Sequence, residues 1–379
     1  MASRQVAEGF SPGEFLKDEI EARGWSQVDL AEILGRNARL VSEIINGKRS
    51  VTPETAVGLA DAFGTSAQLW MNLESAWQLS KLKVQDNAVS RRARLYDRYP
   101  VKEMIRRGWI EGSSSLDVLE GRFARFFEVS SIGSPVQCAA AFRRSNVDDL
   151  PSGAQLAWLF RAKQIAKNLQ VRKFSDATLA SCMERLRACL SEPEEIRHVP
   201  RILSEAGVRF VLIEPLAGSK VDGVCFWLNK SSPVVALSLR YDRIDYFWFT
   251  LIHEMMHVAN KDGRSDGKFI VDEEVMDASS ETLPPHEVKA NAEAAEYLVP
   301  SSEYLNFVAR VKPLYSEERV RGFARRLGVH PGVVVGRLQK QGEISYANLR
   351  KHLVKMREHL VGAAVSDGWG SVPTITCED

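Results

Sequence analysis

The chain has 379 residues, with 50 lysines and arginines against 49 aspartates and glutamates and a net charge of +1. That length admits two or three domains, and 45% hydrophobic with 26% charged residues excludes fibrous and disordered classes. The five cysteines (Cys138, Cys182, Cys189, Cys225, Cys377) form no CxxC pair, which argues against a disulfide framework or a cysteine zinc site and for a reducing, cytoplasmic compartment. The N-terminus carries no apolar core of signal-peptide length, and no run approaches the ~18 apolar residues of a membrane span, so no membrane partner is expected.

Residues 1–80 read as five short helices. Phe15, Leu16 and Ile20 have helical spacing, and Gly24 closes the first helix. Ser26 is the expected N-cap of the second, with Asp29 in the capping-box position and Leu30, Ala31 and Leu34 facing inward. The third runs from about Ala38 to Asn46 and buries Leu40, Ile44 and Ile45. Thr52-Pro53 opens a fourth that passes Val57 and Ala60 to Phe63. Residues 81–195 form a basic linker and a helical region, with stretches such as LDVLEGRFARFF and AQLAWLFRAKQIAKNL. The period changes at Val208–Ile213, a β-rich run, and Val221–Leu228 with Val234–Leu239 reads as a hairpin. The second hairpin strand is either a core strand or an edge that an extended substrate could join. Helices follow from about Ile244 to Lys261 and from about Glu287 to Leu298, and residues 346–379 read as a helical tail. AEILGRNARLVSEIINGK and ARRLGVHPGVVVGRLQKQ share an Ala-x3-Gly turn, which fits either a repeated element or a plain helical hairpin.

Charge is unevenly divided. Residues 1–80 sum to −4, 81–107 to +6, 272–303 to −8 and 310–360 to +8. The acidic loop 272–287 is either an attractor for a basic substrate or a solvated lid.

His253-Glu254-Met255-Met256-His257 is an HExxH pattern. Four residues apart on a helix, both imidazoles reach one metal ion while Glu254 sits beside it as a general base. Met255 and Met256 are expected as core fillers. A catalytic zinc takes three protein ligands and keeps one position open. The extended form of the motif would place a histidine at 263, where the chain has Gly263. Glu287, opening the next helix, is the leading third ligand, with His286 and Glu293 as rivals. With Asn291 one turn beyond, the arrangement resembles zinc peptidases whose second helix offers a Glu ligand and an outer-shell residue four later, which implies that Asn291 orients a ligand. Tyr297, His286 and Arg243 are the candidate oxyanion stabilisers.

The stretch from Val208 through Pro300, with VDGVCFWL, VVALSLRYDRIDYFWFTLIHEMMHV and EVKANAEAAEYLVP, resembles the ImmA/IrrE metallopeptidase family. Glu287, Ala290, Asn291, Ala294 and Pro300 fall in register with that family's second motif, whereas Glu293 stands where the family carries Phe. The segment 11–79 resembles the HigA-type antitoxin branch of the XRE helix-turn-helix family. That second resemblance implies Gln27 on a phosphate, Asn37, Arg39 and Ser42 at base edges of the major groove, and Arg36, Lys48 and Arg49 along the backbone.

The expected fold class is therefore α+β and mostly helical: an all-α helix-turn-helix domain (1–80), the helical middle region (81–195), a zincin-like α+β metallopeptidase domain (196–345) and a helical tail (346–379). The resemblances imply a homodimeric DNA-binding regulator on a palindromic operator. They also imply a Zn²⁺ (or Mn²⁺) endopeptidase that cleaves a repressor or antitoxin-like protein under stress. Two alternatives stay open: an antitoxin or transcription factor whose zinc domain senses a ligand or binds a toxin without cleaving, and a peptidase whose first domain only docks a protein.

Overall fold

The computed structural model describes residues 10–81, 88–132, 140–142, 151–265, 269–273, 283–371 and 373. Cys138, Cys377 and most of the acidic stretch 272–287 lie outside them. The chain forms two compact units, residues 1–91 and 92–379.

The first unit holds α1 (Pro12–Arg23), α2 (Gln27–Ile33), α3 (Ala38–Ile45), α4 (Pro53–Phe63) and α5 (Ala67–Lys81). Local chemistry sets the boundaries. Ser11 with Glu14 and Ser26 with Asp29 each close a reciprocal capping box, and Thr52 caps α4 ahead of Pro53. Gly24 and Gly64 end α1 and α4 in the left-handed conformation. The core gathers Leu16, Leu30, Val41, Ile44, Leu59, Phe63 and Trp70. Val41 is the fully buried residue of α3 where Leu40 was expected; Leu40 and Ile45 are only partly buried, and Val57 on α4 faces solvent. Gly13 lets α1 meet α3 end-on, since a Cβ there would lie 2.5 Å from the Ile44 and Ile45 carbonyl oxygens.

The second unit begins within α6 (Ala88–Arg98) and continues through α7 (Val101–Arg106), α8 (Leu116–Phe126), β1 (Ala140–Phe142), α9 (Gly153–Asn168), α10 (Asp176–Ala188) and α11 (Val199–Ala206). Then come β2 (Arg209–Ile213), β3 (Val221–Trp227), β4 (Pro233–Leu237), α12 (Ile244–Asn260), β5 (Phe269–Glu273) and α13 (Pro285–Leu298). The chain closes with α14 (Ser301–Val311), α15 (Glu317–Leu327), α16 (Pro331–Lys340), α17 (Arg357–Leu360) and β6 (Val365–Asp367). The six strands lie in the order β1-β5-β3-β4-β2-β6; β3 is antiparallel to β4 and β5, and the other pairs are parallel. The β3–β4 hairpin forms as expected, but β4 is flanked by β3 and β2, so it has no edge to offer a substrate.

Alternate residues of the strands enter two different cores. Phe210, Leu212, Cys225, Trp227, Val235 and Leu237 pack with α10 to α16, while Val211, Ile213, Val224, Phe226, Val234 and Ala236 pack with α6 to α9. The middle helices therefore cover one sheet face, and residues from 92 on belong to the same unit as the sheet rather than to a separate linker region. The tail differs too. β6 pairs with β2, and its buried Asp367 accepts hydrogen bonds from Arg161 Nε (2.5 Å) and Trp109 Nε1 (3.0 Å). In the α15–α16 hairpin the second helix buries Val333, Val334, Val335 and Leu338, so it is a core helix and not an exposed reading helix. Among the described residues no helix is long and apolar enough to cross a membrane.

Candidate metal centre and nucleic-acid interface

α12 is buried along nearly its whole length, from Ile244 to Val258. His253, Glu254 and His257 are all 0% exposed. Polar side chains in such a place need compensating partners. The two imidazoles turn toward each other, with their Nε2 atoms 2.9 Å apart. Met255 and Met256 pack into the surrounding core, as expected.

The helix end supplies the orienting group. Lys261 adopts the left-handed conformation (φ 63°), and Asp262 N donates to the His257 carbonyl (3.0 Å). This turn sets the Asp262 carboxylate 2.8 Å from His257 Nδ1, while Trp227 Nε1 on β3 donates to the Asp262 carbonyl (3.0 Å). Asp262 can accept the His257 Nδ1 proton, and in that tautomer, the one a metal ion would require, Nε2 is left as the ligating atom. The position expected for Asn291 is thus filled by Asp262. Asn291 Oδ1 is buried with no hydrogen-bond partner among the described residues.

α13 brings the third group. Glu287, Ala290, Ala294 and Leu298 form its buried stripe, and the two alanines permit close approach to α12. Glu287 is 1% exposed, with Oε2 3.2 Å from His253 Nε2 and Oε1 3.4 Å from His257 Nε2. Burial alone would raise the Glu287 pKa; the hydrogen bonds and charges of the two imidazoles outweigh it and hold the carboxyl well below its usual range. The ligand atoms of His253, His257 and Glu287 all lie within 4.8 Å of one another. A tetrahedral ion with bonds of about 2.0–2.1 Å spaces its ligand atoms by roughly 3.3 Å. The imidazole nitrogens stand 2.9 Å apart and each lies 3.2 or 3.4 Å from its own Glu287 oxygen, a donor set of the size that holds a metal.

Glu254 stands outside that group. Its carboxylate lies against β3, where a Cβ on Gly223 would come within 2.2 Å of Glu254 Oε1. Any side chain at 223 would displace it. Of the rival ligands, Glu293 accepts from Asn260 Nδ2 (2.8 Å) at the helix periphery, which also accounts for a carboxylate where a core Phe was expected. His286 is half-buried beside the centre, its Nε2 3.4 Å from Glu287 Oε1. Tyr297 donates to the Met183 carbonyl and Arg243 pairs with Asp245, so only His286 among the three oxyanion candidates borders the ligand group.

In the first unit Gln27 opens α2, and Arg36, Asn37, Arg39, Lys48 and Arg49 are exposed, with Ser42 half-buried. Asn37 caps α3 by accepting from Arg39 N (2.8 Å), leaving its amide NH₂ outward. Glu43 was not singled out in the sequence, although Arg39 and Glu43 have salt-bridge spacing. It receives Arg39 Nε (2.7 Å) and Arg49 Nη1 (3.3 Å). The Arg39 hydrogen bond foremost holds Glu43 below the usual carboxylate range. Glu43 thereby ties Arg39, in the first turn of α3, to Arg49, beyond its last turn.

Two family models match the chain: one described as helix-turn-helix, over residues 16–70, and one described as the IrrE N-terminal-like domain of the M78 peptidases, over residues 204–339. The uncharacterized HTH-type transcriptional regulator YddM of Escherichia coli (strain K12) is 31% identical over 70 residues, 18% of this chain and 74% of its own length. Virulence-associated protein I of Dichelobacter nodosus is 34% identical over 86 residues, 22% of this chain and 79% of its own. The solved structure of Pseudomonas aeruginosa antitoxin HigA with the higBA promoter is 36% identical, covering 20% of this chain and 82% of that one with a TM-score of 0.19.

Proposed function

We propose a function from one premise: the chain belongs to the helix-turn-helix regulators through residues 16–70 and carries, through residues 204–339, a domain of the IrrE N-terminal-like peptidase family. It is a cytoplasmic, homodimeric DNA-binding regulator whose second unit is a zinc-dependent endopeptidase, with manganese able to substitute, acting on a repressor or antitoxin-like protein in a stress response. The observation that carries this reading is the buried group of His253, His257 and Glu287, with Glu254, the residue after His253, fully buried and its carboxylate against Gly223.

His253, His257 and Glu287 would hold the ion, and Asp262 fixes the His257 ring. The bound metal would supply Lewis acidity at the scissile carbonyl and acidify water. Glu254 takes the proton of the attacking water and passes it to the leaving amide nitrogen. His286, whose Nε2 lies 3.4 Å from Glu287 Oε1, would stabilise the charge that the carbonyl oxygen gains. In the first unit Gln27, Arg36, Lys48 and Arg49 bind phosphates, and Asn37, Arg39 and Ser42 face base edges of a palindromic operator with half-sites about one helical turn apart.

Glu254→Gln tests the reading, because it keeps the side chain's size and removes its basicity. The purified protein should hold about one zinc per chain in both forms. Cleavage of repressors and toxin–antitoxin components encoded beside its gene, followed by mass spectrometry, should fall by about 10²- to 10⁴-fold in the variant. Loss of zinc by the variant would make Glu254 a ligand. Unchanged regulation in cells would make the second unit a sensor or toxin-binding domain that does not cleave.

A further inference from the structure

A cavity of about 300 Å³ opens between α12, α13 and α16. Its wall includes Phe249, Asn291, Ala292, Ala295, Val333 and Gly336. On α12, Phe249 precedes His253 by four residues, and the two rings are 6.3 Å apart between centroids. On α13, Asn291 follows Glu287 by four. Residues four apart share a helix face about 6 Å along the axis. The cavity therefore continues the stripes that carry the metal-binding group, starting one helical turn from it.

We propose that this cavity receives an apolar side chain of the protein substrate, that of the residue flanking the scissile bond. The inference rests on the peptidase reading above and names the side-chain class that reading leaves open. An extended peptide advances about 3.3–3.4 Å per residue, with its side chains standing off the backbone. A peptide carbonyl at the metal-binding group thus places the neighbouring side chain within one helical turn, where the cavity lies. The wall is built for an apolar group. Alanines at 292 and 295 leave the space unfilled, while Gly336 makes room for the Asp245 side chain, whose Oδ2 lies 2.5 Å from where a Cβ would stand. Two of the three charged residues on the wall are held by the protein itself: Asp245 accepts both Arg243 contacts (3.0 and 2.6 Å), and Arg337 donates to the Ala295 and Val299 carbonyls; the third, Lys340, stands at the exposed rim. Ala292, Lys340 and Gln341 are exposed at the rim, which keeps the cavity open to a chain arriving from solvent.

Hydroxamate probes test this without a known substrate, since the hydroxamate anchors on the metal and carries a chosen side chain. Zinc-loaded full-length protein is titrated calorimetrically with acetohydroxamate and with the hydroxamates of N-acetyl-leucine and N-acetyl-aspartate. The leucine probe should bind about tenfold or more tightly than acetohydroxamate, and the aspartate probe no more tightly. Ala295→Trp, which fills the cavity, should bring the leucine probe down to acetohydroxamate's affinity, with zinc content measured alongside. Ala292→Phe, at the exposed rim, repeats the test if the buried tryptophan prevents folding. Equal binding of leucine probe and acetohydroxamate, or a leucine preference surviving both substitutions, would overturn the proposal alone. Failure of acetohydroxamate to bind at all would overturn the metal reading and this proposal with it.

Discussion

In the first unit the residues assigned to a ligand stand in solvent on a small helical core, whereas in the second the corresponding residues are buried against one. Arg39 is 82% exposed along its side chain and His253 is 0% exposed. The contrast follows from the two chemistries. Phosphate and base edges are met at a surface, where charge stays hydrated until the partner arrives. A metal-binding group of two imidazoles and a carboxylate gains its geometry from packing, and the low dielectric around it strengthens each contact. Substitutions in the first unit should therefore change affinity with the fold intact, and those in the second should disturb metal, stability or both.

The largest effect falls on stability in the second unit. Arg161 and Asp367 are 5% and 1% exposed, and Trp109 also donates to this carboxylate. Removing one partner of a buried pair leaves the other charge uncompensated, at a cost of about 3–5 kcal/mol. Asp367→Ala should lower the unfolding transition of residues 92–379 and leave that of the first unit in place. Calorimetry showing both transitions unmoved would break the contrast between the units.

Next is the metal. Asp262→Ala removes the acceptor of His257 Nδ1, and zinc affinity should fall about 10- to 100-fold. Competition with a chromophoric chelator measures it. Parental affinity would mean that the helix already fixes the His257 ring and that Asp262 serves only the turn.

Asp262 also shows where sequence reading stops. HEMMH is legible because a single helix sets the relation of its residues. Glu287 is legible because its motif places it at the start of a second helix. The contact of Asp262 with His257 depends on a left-handed Lys261 and an anchor from Trp227 on β3, and neither leaves a pattern in the residues. The sheet order was hidden for a related reason. β6 is only three residues long, and β1 and β5 join the sheet from segments without alternation. One signal was present, though: VVALSL and VDGVCFW are apolar at almost every position, as strands covered on both faces are. Such strands require a second helical layer, which α6 to α9 supply. In the first unit capping residues and short connections set the ends of the first four helices, so these were readable almost residue by residue.

Smaller effects belong to the surface proposed to contact DNA. Arg39→Ala should weaken operator binding by about 1–3 kcal/mol and relax preference at one base position, if the arginine pairs with a guanine. The thermal transition should not move, since the side chain is exposed and its ion pair with Glu43 is a surface one. Equal losses on operator and random DNA would reassign Arg39 to the phosphate backbone.

Lys48 gives the smallest and most diagnostic change. It follows α3 in the Asn46–Gly47 turn, is exposed, and its backbone N donates to the Glu43 carbonyl (2.8 Å). The turn is therefore held by the main chain, and Lys48→Ala removes a charge without loosening it. A lysine on a phosphate contributes through counterion release, which carries no sequence information. Binding to operator and to random DNA should weaken by the same factor, so their ratio stays at the parental value. The slope of log affinity against log salt should become shallower by about 0.9, the increment for one phosphate contact. Because the first unit carries a charge of −4 over residues 1–80, few cations share this task and the loss of one should be measurable. An unchanged slope with reduced operator affinity would place Lys48 at a base edge, and an unchanged slope with unchanged affinity would remove it from the interface.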